Sequence, residues 1–233
     1  SVTCDNGAQF DNGVEIIVNQ MRAGFNYTAT AIGLNGFDPV LAVLGENGQG
    51  LCIDDDSVAA TYTANLPTTG GVPSSGLSAR VDFAQTSGQA FHDVSLVVGG
   101  FGNASGEFIL ILEGMAVTAE DNAGDPFSVR LTNGMVRSGV PLTTYMIART
   151  TALDPLIYQI DADFNEVPDG QGGVIGCDDA GNLDRCYGQS TDLSNSFVTT
   201  NTGRVPGYEY DAMLSLPLTG MQLSSNPDEN FIN

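Results

Sequence analysis

Hydrophobic residues recur at every second position through much of the chain. Short runs rich in Val, Ile, Thr and Phe are separated by Gly, Asn, Asp or Pro: VEIIVNQ (14–20), NYTATAIG (26–33), PVLAVLG (39–45), LSARVDF (77–83), VSLVVGG (94–100) and EFILILEG (107–114). This alternation is typical of strands with one buried face. No window of helical length carries a capped i, i+3, i+4, i+7 apolar stripe. The sequence therefore predicts an all-β fold with at most single helical turns.

The two halves of the chain share an order of features. In each half a turn is followed by Asp-Pro, then by a cysteine with adjacent acids, then by Val-Pro and a final strand. The alignment pairs Asp38-Pro39 with Asp154-Pro155, Cys52 with Cys177, and Val72-Pro73 with Val205-Pro206. We interpret this order as a duplication. It predicts two tandem antiparallel β-sandwich or jelly-roll domains, 1–118 and 126–233, divided by the polar stretch TAEDNAGDP (118–126).

The second copy has no counterpart of the most hydrophobic strand of the first. The alignment carries Asn233 to the level of about Gly100, before GEFILILEG (106–114). An open groove with unpaired strand edges recruits other strands. We expect the N-terminal segment of a neighbouring subunit, residues 1–18 with the run VEIIV, to fill it and form a polymer. Two alternatives stay open: VEIIV belongs to the first copy's own sheet, or a longer polypeptide completes the second copy itself.

The charge balance restricts the partners. The net charge is −21 because only seven basic residues, all arginines, accompany 28 acidic ones. Nucleic-acid binding requires a basic patch that seven scattered arginines do not supply. Clustered carboxylates repel one another until a hard cation neutralises them, so divalent cations are the better partner. We also expect no membrane insertion, because no stretch approaches the roughly 20 apolar residues of a span.

Four cysteines fall into two groups, one in each half. An even count divided in this way is typical of disulfides in an oxidising compartment. Of three possible connectivities we favour Cys4–Cys52 and Cys177–Cys186, since the second closes the loop CDDAGNLDRC beside an acidic cluster. A zinc site is the competing interpretation, but there is no CxxC pair and His92 is the single histidine. Together with the start at Ser1 rather than Met, the cysteines predict a mature extracellular protein, secreted or on the cell surface.

The series G..Y…DPVLAVLGENGQGLCIDDD followed by GEFIL resembles the bacterial pre-peptidase C-terminal domain. This is a small β-sandwich appended to secreted enzymes and surface proteins, and its members are usually non-catalytic. Some relatives bind calcium through acids at strand ends. The resemblance therefore implies calcium ligands among Asp38, Asp54, Asp55, Asp56, Asp154, Asp178 and Asp179.

The residues themselves also favour a hard-cation site. A Gly-rich turn followed by adjacent acids offers both carboxylates and backbone carbonyls, and such a turn occurs in both halves. The insertion DADFNEVPDG adds Asp161, Asp163, Asn165 and Asp169, a D-x-D-x-N series like the first half of a calcium loop. It lacks the glycine and the terminal glutamate of an EF-hand, which excludes that motif. A solvated acidic turn is the alternative interpretation.

The sequence gives little support to a catalytic function. His92 and Asp93 could form a dyad with a serine, but there is no G-x-S-x-G elbow. Paired carboxylates could hydrolyse glycosides, yet the chain lacks tryptophan, a common stacking platform for sugars. We therefore predict a non-catalytic structural protein, a calcium-stabilised subunit of a filament or surface layer assembled by strand complementation. The alternative is an accessory domain pair that anchors a larger secreted enzyme to matrix or polysaccharide.

Overall fold

The computed structural model describes residues 2–3, 9–10, 13–22, 26–44, 50–53, 58–84, 91–115, 128–131, 142–161, 163, 165–188 and 190–216. The strands are β1 (Val2–Thr3), β2 (Gln9–Phe10), β3 (Val14–Arg22), β4 (Asn26–Gly33), β5 (Pro39–Leu44), β6 (Gly50–Ile53), β7 (Ala64–Leu66), β8 (Gly70–Val72), β9 (Ala79–Ala84), β10 (Phe91–Gly100), β11 (Phe108–Met115), β12 (Ser128–Leu131), β13 (Leu142–Met146), β14 (Ile157–Tyr158), β15 (Gly176–Cys177), β16 (Phe197–Thr200), β17 (Gly203–Pro206) and β18 (Ala212–Leu216). Single 3₁₀ turns occupy Ala59–Thr61 and Phe101–Asn103.

The predicted all-β fold is confirmed. Every strand pair in the described ranges is antiparallel, and the helical content of those ranges is limited to the two 3₁₀ turns. Within the same ranges, no helix is long and apolar enough to cross a bilayer.

The chain forms two compact units. Unit 1 comprises Ser1–Tyr62 and Pro73–Gly134, and unit 2 comprises Thr63–Val72 and Met135–Asn233. These units are not two contiguous halves, because the hairpin β7–β8 belongs to unit 2 and β12 belongs to unit 1. The expected boundary at 118–126 lies outside the described residues, so the tandem division at that point stays a prediction.

Unit 1 contains a five-stranded sheet in the order β12-β3-β10-β5-β6. Its central strand β10 is apolar on both faces, which predicts a strand buried on both sides. On one face Leu96 lies between Ile16 and Val43, and all three side chains are buried. On the other face Val97 packs in a cluster with Val40 and Ala42, against which Leu44 and Cys52 also pack. The sheet therefore carries apolar residues to both of its surfaces.

A three-stranded sheet, β11-β4-β9, completes unit 1 as a sandwich. Strand β5 of the larger sheet contacts β4 and β9, and β6 contacts β9. Ala31 of β4 lies opposite Ala79 of β9, and both are fully buried. Alternating small residues on a strand allow a second layer to approach closely.

The run VEIIV occupies β3, which pairs with β10 on one side and β12 on the other. The expectation that this run is donated to a neighbouring subunit is therefore wrong for Val14–Arg22. The physical reason is that its backbone groups are already used by two flanking strands. The alternative stated above, that VEIIV belongs to the sheet of its own copy, is the one observed.

Unit 2 contains a four-stranded sheet made of two hairpins, in the order β17-β16-β7-β8. Ala64 lies opposite Val72 in one hairpin, and Val198 lies opposite Val205 in the other. Ala64 and Val198 also face each other where the hairpins join. The register thus relates the hairpins by a local two-fold. Val72 and Val205, which the sequence alignment pairs, occupy equivalent positions in it.

The remainder of unit 2 packs around a small core. Its buried members are Cys177, Ala180, Cys186, Leu193, Ala212 and Met213, with Tyr145, Met146 and Ile157 packed against them. Two short pairs, β13 with β18 and β14 with β15, contribute most of these residues. Ala180, Cys186 and Leu193 lie outside the strands. Within the described residues, β13 pairs with β18 alone, whereas β4 of unit 1 pairs on both sides.

Asp211 is a buried acid that holds three segments of unit 2 together. Asp211 is only 1% exposed to solvent. Oδ1 accepts a hydrogen bond from the Ala148 amide (2.9 Å) and Oδ2 accepts one from the Tyr208 amide (2.7 Å). Its backbone carbonyl accepts a third from the Ala180 amide. Burial raises the pKa of Asp211, an effect that the two amide donors partly oppose.

We predict that Asp211→Ala lowers the free energy of unfolding by about 2–5 kcal/mol, because two buried amides lose their acceptor. Asp211→Asn keeps one acceptor and should lose less. Asp192→Ala is the matched control, since its exposed carboxylate serves a local turn at Ser194. Urea denaturation followed by far-UV circular dichroism measures the three differences. A loss for Asp211→Ala no larger than for the control contradicts the prediction.

The raised pKa also determines a pH dependence. A folded-state pKa above the ordinary value of 3.8 means that the contribution of Asp211 is fully present below that value and is lost as the pH rises through the raised pKa. The stability of the wild type relative to Asp211→Asn should therefore fall between acidic and neutral pH. Comparing the two proteins removes the effect of the other acids, and a difference that grows with pH contradicts this sign.

Candidate metal centre

Asp154, Asp178 and Asp179 lie together in unit 2. Each offers one carboxylate oxygen, and the three oxygens lie within 4.8 Å of one another. Within the described part of the chain this is the one group of three or more His, Cys, Asp or Glu residues with such spacing. All three were predicted as cation ligands from the sequence. We call this group the acidic triad.

Antiparallel pairing brings the acidic triad together. Ile157 of β14 lies opposite Cys177 of β15, so the beginning of β14 is next to the end of β15. Asp154 precedes β14, and Asp178 and Asp179 follow β15. Asp154 also precedes a proline, which favours an extended backbone at this position. An Asp-Pro before one strand and an Asp-Asp after its partner therefore converge at the same edge.

The disulfide Cys177–Cys186, predicted from the sequence, is present with a separation of nine residues. The cysteines face each other across an antiparallel bridge. The Asp178 amide donates to the Arg185 carbonyl (3.1 Å), and the Tyr187 amide donates to the Gly176 carbonyl (2.8 Å). Cys52 is also disulfide-bonded, but its predicted partner Cys4 lies outside the described residues.

A guanidinium partly neutralises the acidic triad. Arg185 Nη1 donates to Asp178 Oδ2 at 2.7 Å and lies 3.2 Å from Asp179 Oδ2. The Arg185 side chain is 51% exposed, whereas that of Asp179 is 15% exposed. Asp179 Oδ1 is buried and has no hydrogen-bond partner among the described residues. The guanidinium of Arg185 is thus paired with two of the three carboxylates.

Tyr210 adds to the electronegative surroundings. A hydrogen bond to Glu209 and the charge of that residue are the main causes that raise the pKa of the Tyr210 phenol, and the charges of Asp179 and Asp154 raise it further. The phenol therefore lies close enough to the acidic triad to experience its field. Neither Tyr210 nor Arg185 was identified from the sequence, although pairing of the cysteines implies that residues 178 and 185 are neighbours.

The geometry of the acidic triad is compatible with a hard cation. Calcium takes six to eight oxygen ligands at about 2.3–2.6 Å, so two oxygens on one ion are at most about 5 Å apart. The observed spacing satisfies that limit. Three protein ligands leave further coordination positions for water or backbone carbonyls.

The other predicted ligands are placed differently. Asp161 Oδ1 accepts hydrogen bonds from the amides of Asp163 and Asn165, each at 2.9 Å. These donors, the Asn165 amide first, lower the pKa of Asp161. Asp169 makes the same kind of turn with the amides of Gln171 and Gly173. The D-x-D-x-N series thus builds a turn, and Asp161 and Asp163 are not members of the acidic triad.

The first copy is described only in part. Asp38 precedes β5, as Asp154 precedes β14, and its carbonyl accepts a hydrogen bond from the Phe101 amide. Asp54, Asp55 and Asp56 lie outside the described residues. Their grouping with Asp38 stays a prediction.

We predict that Cys177→Ala/Cys186→Ala lowers the free energy of unfolding by about 3 kcal/mol, since the unfolded chain regains the freedom of a loop of about ten residues. Urea denaturation without reductant measures the loss. Mild reduction provides the control, because wild type should lose stability with dithiothreitol while the variant loses only what Cys52 contributes. Equal stability of variant and wild type without reductant contradicts a bracing role.

No protein-family model, curated protein or solved structure matches this chain. The resemblance to the pre-peptidase C-terminal domain therefore stays a prediction that rests on the quoted residues.

Proposed function

We propose that the chain is a non-catalytic extracellular structural protein whose unit 2 is stabilised by a calcium ion held by the acidic triad. The observation that carries the proposal is the convergence of three carboxylates beside a disulfide. Disulfides persist in oxidising compartments outside the cytosol. Like charges at this spacing destabilise the empty site, so cation binding and folding are linked.

The chemistry of the acidic triad favours weak calcium binding. Arg185 occupies part of the same space and supplies a competing charge. Few protein ligands and partial exposure are typical of extracellular modules, whose dissociation constants are about 10⁻⁴–10⁻³ M. Such a site is filled where calcium is abundant, which agrees with an extracellular location.

We predict that 10 mM calcium stabilises the protein relative to EDTA by about 1.5–3 kcal/mol, the linkage value for a dissociation constant near 10⁻⁴–10⁻³ M. Thermal or urea unfolding with calcium or EDTA measures this increment. Asp154→Asn/Asp178→Asn should reduce it, and Arg185→Gln should enlarge it by removing the competing cation. Asp192→Asn is the control outside the acidic triad.

An unchanged unfolding curve in EDTA contradicts the calcium proposal. An increment that Asp154→Asn/Asp178→Asn leaves at the wild-type value contradicts the acidic triad as the site. Magnesium added alone tests selectivity, since it prefers strict octahedral geometry and gives up water reluctantly.

Assembly by strand complementation is the second part of the proposal. In unit 1, β4 lies between β9 and β11. The alignment pairs Ala79, Val81 and Phe83 of β9 with Ala212, Leu214 and Leu216 of β18, which makes β13 the counterpart of β4. Among the described strands β13 has a partner on one side only. A strand from a neighbouring subunit would supply the backbone groups that β11 supplies in unit 1.

We predict that a synthetic peptide GEFILILEG, the sequence of residues 106–114, adds to β13 and converts polymers to monomers. A peptide with proline in place of Leu110 is the matched control, because it lacks a ladder amide. Analytical ultracentrifugation and negative-stain images measure the change. Monomeric protein without peptide, or polymers unaffected by either peptide, contradict strand complementation.

The alternative function, an accessory domain pair that anchors a secreted enzyme, is favoured by a different observation. Among the described residues of unit 2, six large apolar side chains are exposed, several of them within a few residues of the acidic triad in sequence: Leu153, Leu156, Tyr158, Leu183, Tyr187 and Tyr210. Exposed apolar groups concentrated in one region are typical of an interaction surface. Isolated particles in negative stain would favour this alternative over a filament.

A further inference from the structure

Two exposed tyrosines flank a glycine on the outer face of the β14–β15 region. Tyr158 lies opposite Gly176, and the amide of Tyr187 donates to the carbonyl of Gly176 at 2.8 Å. Directly opposite residues in antiparallel strands project to the same face. The adjacent row, Ile157, Cys177 and Cys186, packs into the core. The tyrosines therefore project from the opposite, outer face.

The glycine allows the Tyr158 ring to approach the backbone of the neighbouring strand closely. A Cβ atom at Gly176 would lie 2.5 Å from Cδ1 of Tyr158 and 2.8 Å from the Ile157 carbonyl oxygen. Tyr158 is 40% exposed and Tyr187 is 39% exposed, while Gly176 between them is buried. Two strand spacings, about 9–10 Å, separate the backbones of the two tyrosines. The disulfide Cys177–Cys186 in the neighbouring row joins the segments that carry Gly176 and Tyr187.

A polar row borders the tyrosines. Asp178 and Arg185 are cross-strand neighbours, joined by a backbone hydrogen bond and by an ion pair at 2.7 Å. Leu156, two residues before Tyr158, is 47% exposed. We call the surface formed by Leu156, Tyr158, Gly176, Asp178, Arg185 and Tyr187 the tyrosine face.

We propose that the tyrosine face binds a neutral polysaccharide. A sugar ring has an apolar C–H surface and a rim of hydroxyl groups. The aromatic rings of the tyrosines can pack against the C–H surface, because they offer rigid apolar area with a polar tip. The Asp178 carboxylate and the Arg185 guanidinium can hydrogen-bond the hydroxyl groups, because both offer several hydrogen-bonding positions in fixed geometry.

Charge and desolvation argue against anionic ligands, a second copy of this face and a purely hydrocarbon ligand. The chain carries a net charge of −21, which repels nucleic acids, acidic polysaccharides and anionic lipid surfaces. A second copy docked by the same face would bring two acidic triads together, since such a contact is isologous. A purely hydrocarbon ligand would desolvate the Asp178–Arg185 pair without satisfying it. A neutral ligand rich in hydroxyl groups avoids each of these costs.

This inference rests on the alternative proposed function, an anchoring domain pair, and deepens it by assigning a surface and a ligand class; it requires neither calcium nor strand complementation. The tyrosine face shares Asp178 with the acidic triad but places its aromatic contacts one row away. Binding measured in calcium and in EDTA therefore separates the two ideas, and loss of the calcium effect leaves the polysaccharide prediction intact.

The test is affinity gel electrophoresis of the full chain against soluble β-glucan, xylan, galactomannan and starch, with polygalacturonate as the acidic control. We expect retardation by at least one neutral polysaccharide, in EDTA as well as in calcium. Tyr158→Ala and Tyr187→Ala should each weaken it about threefold to tenfold, and Tyr→Phe variants should retain it, since an aromatic contact contributes about 0.5–1.5 kcal/mol. Phe101→Ala is the control, because Phe101 is 56% exposed in unit 1.

A second measurement does not depend on the stability of the variants. Nitration of the wild-type protein by tetranitromethane, followed by peptide mapping, should show Tyr158 and Tyr187 protected by the bound polysaccharide and Tyr210 not protected. The proposal is overturned if all four neutral polysaccharides fail to bind, if polygalacturonate binds best, or if Tyr158 and Tyr187 react equally with and without the polysaccharide.

Discussion

The pairing of Cys177 with Cys186 organises the chemistry of unit 2. The two cysteines lie opposite each other in an antiparallel bridge. On one side of them the Asp178 amide donates to the Arg185 carbonyl, and on the other side the Tyr187 amide donates to the Gly176 carbonyl. The disulfide closes that pair covalently. One flanking row belongs to the acidic triad and the other carries the exposed tyrosines. A single cross-link thus lies between a charged group in one flanking row and an aromatic surface in the other.

Electrostatics limits what the acidic triad can do. Asp178 and Asp179 share one guanidinium, that of Arg185, which is half exposed and therefore well solvated. Pairs of this kind in contact with solvent contribute little to stability. The buried oxygen of Asp179 has no hydrogen-bond partner among the described residues, and such an oxygen is costly without one. A divalent ion would coordinate this oxygen and reduce the repulsion among the three carboxylates. Arg185 instead lies next to Oδ2, the other oxygen of the Asp179 carboxylate.

Corresponding strands of the two units differ in the number of strands they pair with among the described residues. In unit 1, β4 has partners on both sides, and the face around Ala31 and Ala79 is closed by a second sheet. In unit 2, the counterpart β13 pairs with β18, and a buried acid, Asp211, ties the region together through backbone amides. This region of unit 2 therefore depends on the buried hydrogen bonds of Asp211 and on the disulfide Cys177–Cys186. This dependence explains why removal of either should have a large effect.

The sequence by itself determined the fold class, one disulfide and the acidic triad. Alternation of apolar residues requires strands, because only a strand presents every second side chain to one face. Asp154, Asp178 and Asp179 were identified because Asp-Pro and a cysteine with nearby acids occur in the same order in both halves, and because they match the resemblance to the pre-peptidase C-terminal domain. The tertiary structure decided what neighbours these groups have. Pairing between strands distant in sequence sets Arg185 on Asp178, places VEIIV between β10 and β12, and assigns the hairpin β7–β8 to unit 2. Local pattern carries no information on these contacts, since strand register and partner choice depend on which faces are buried together.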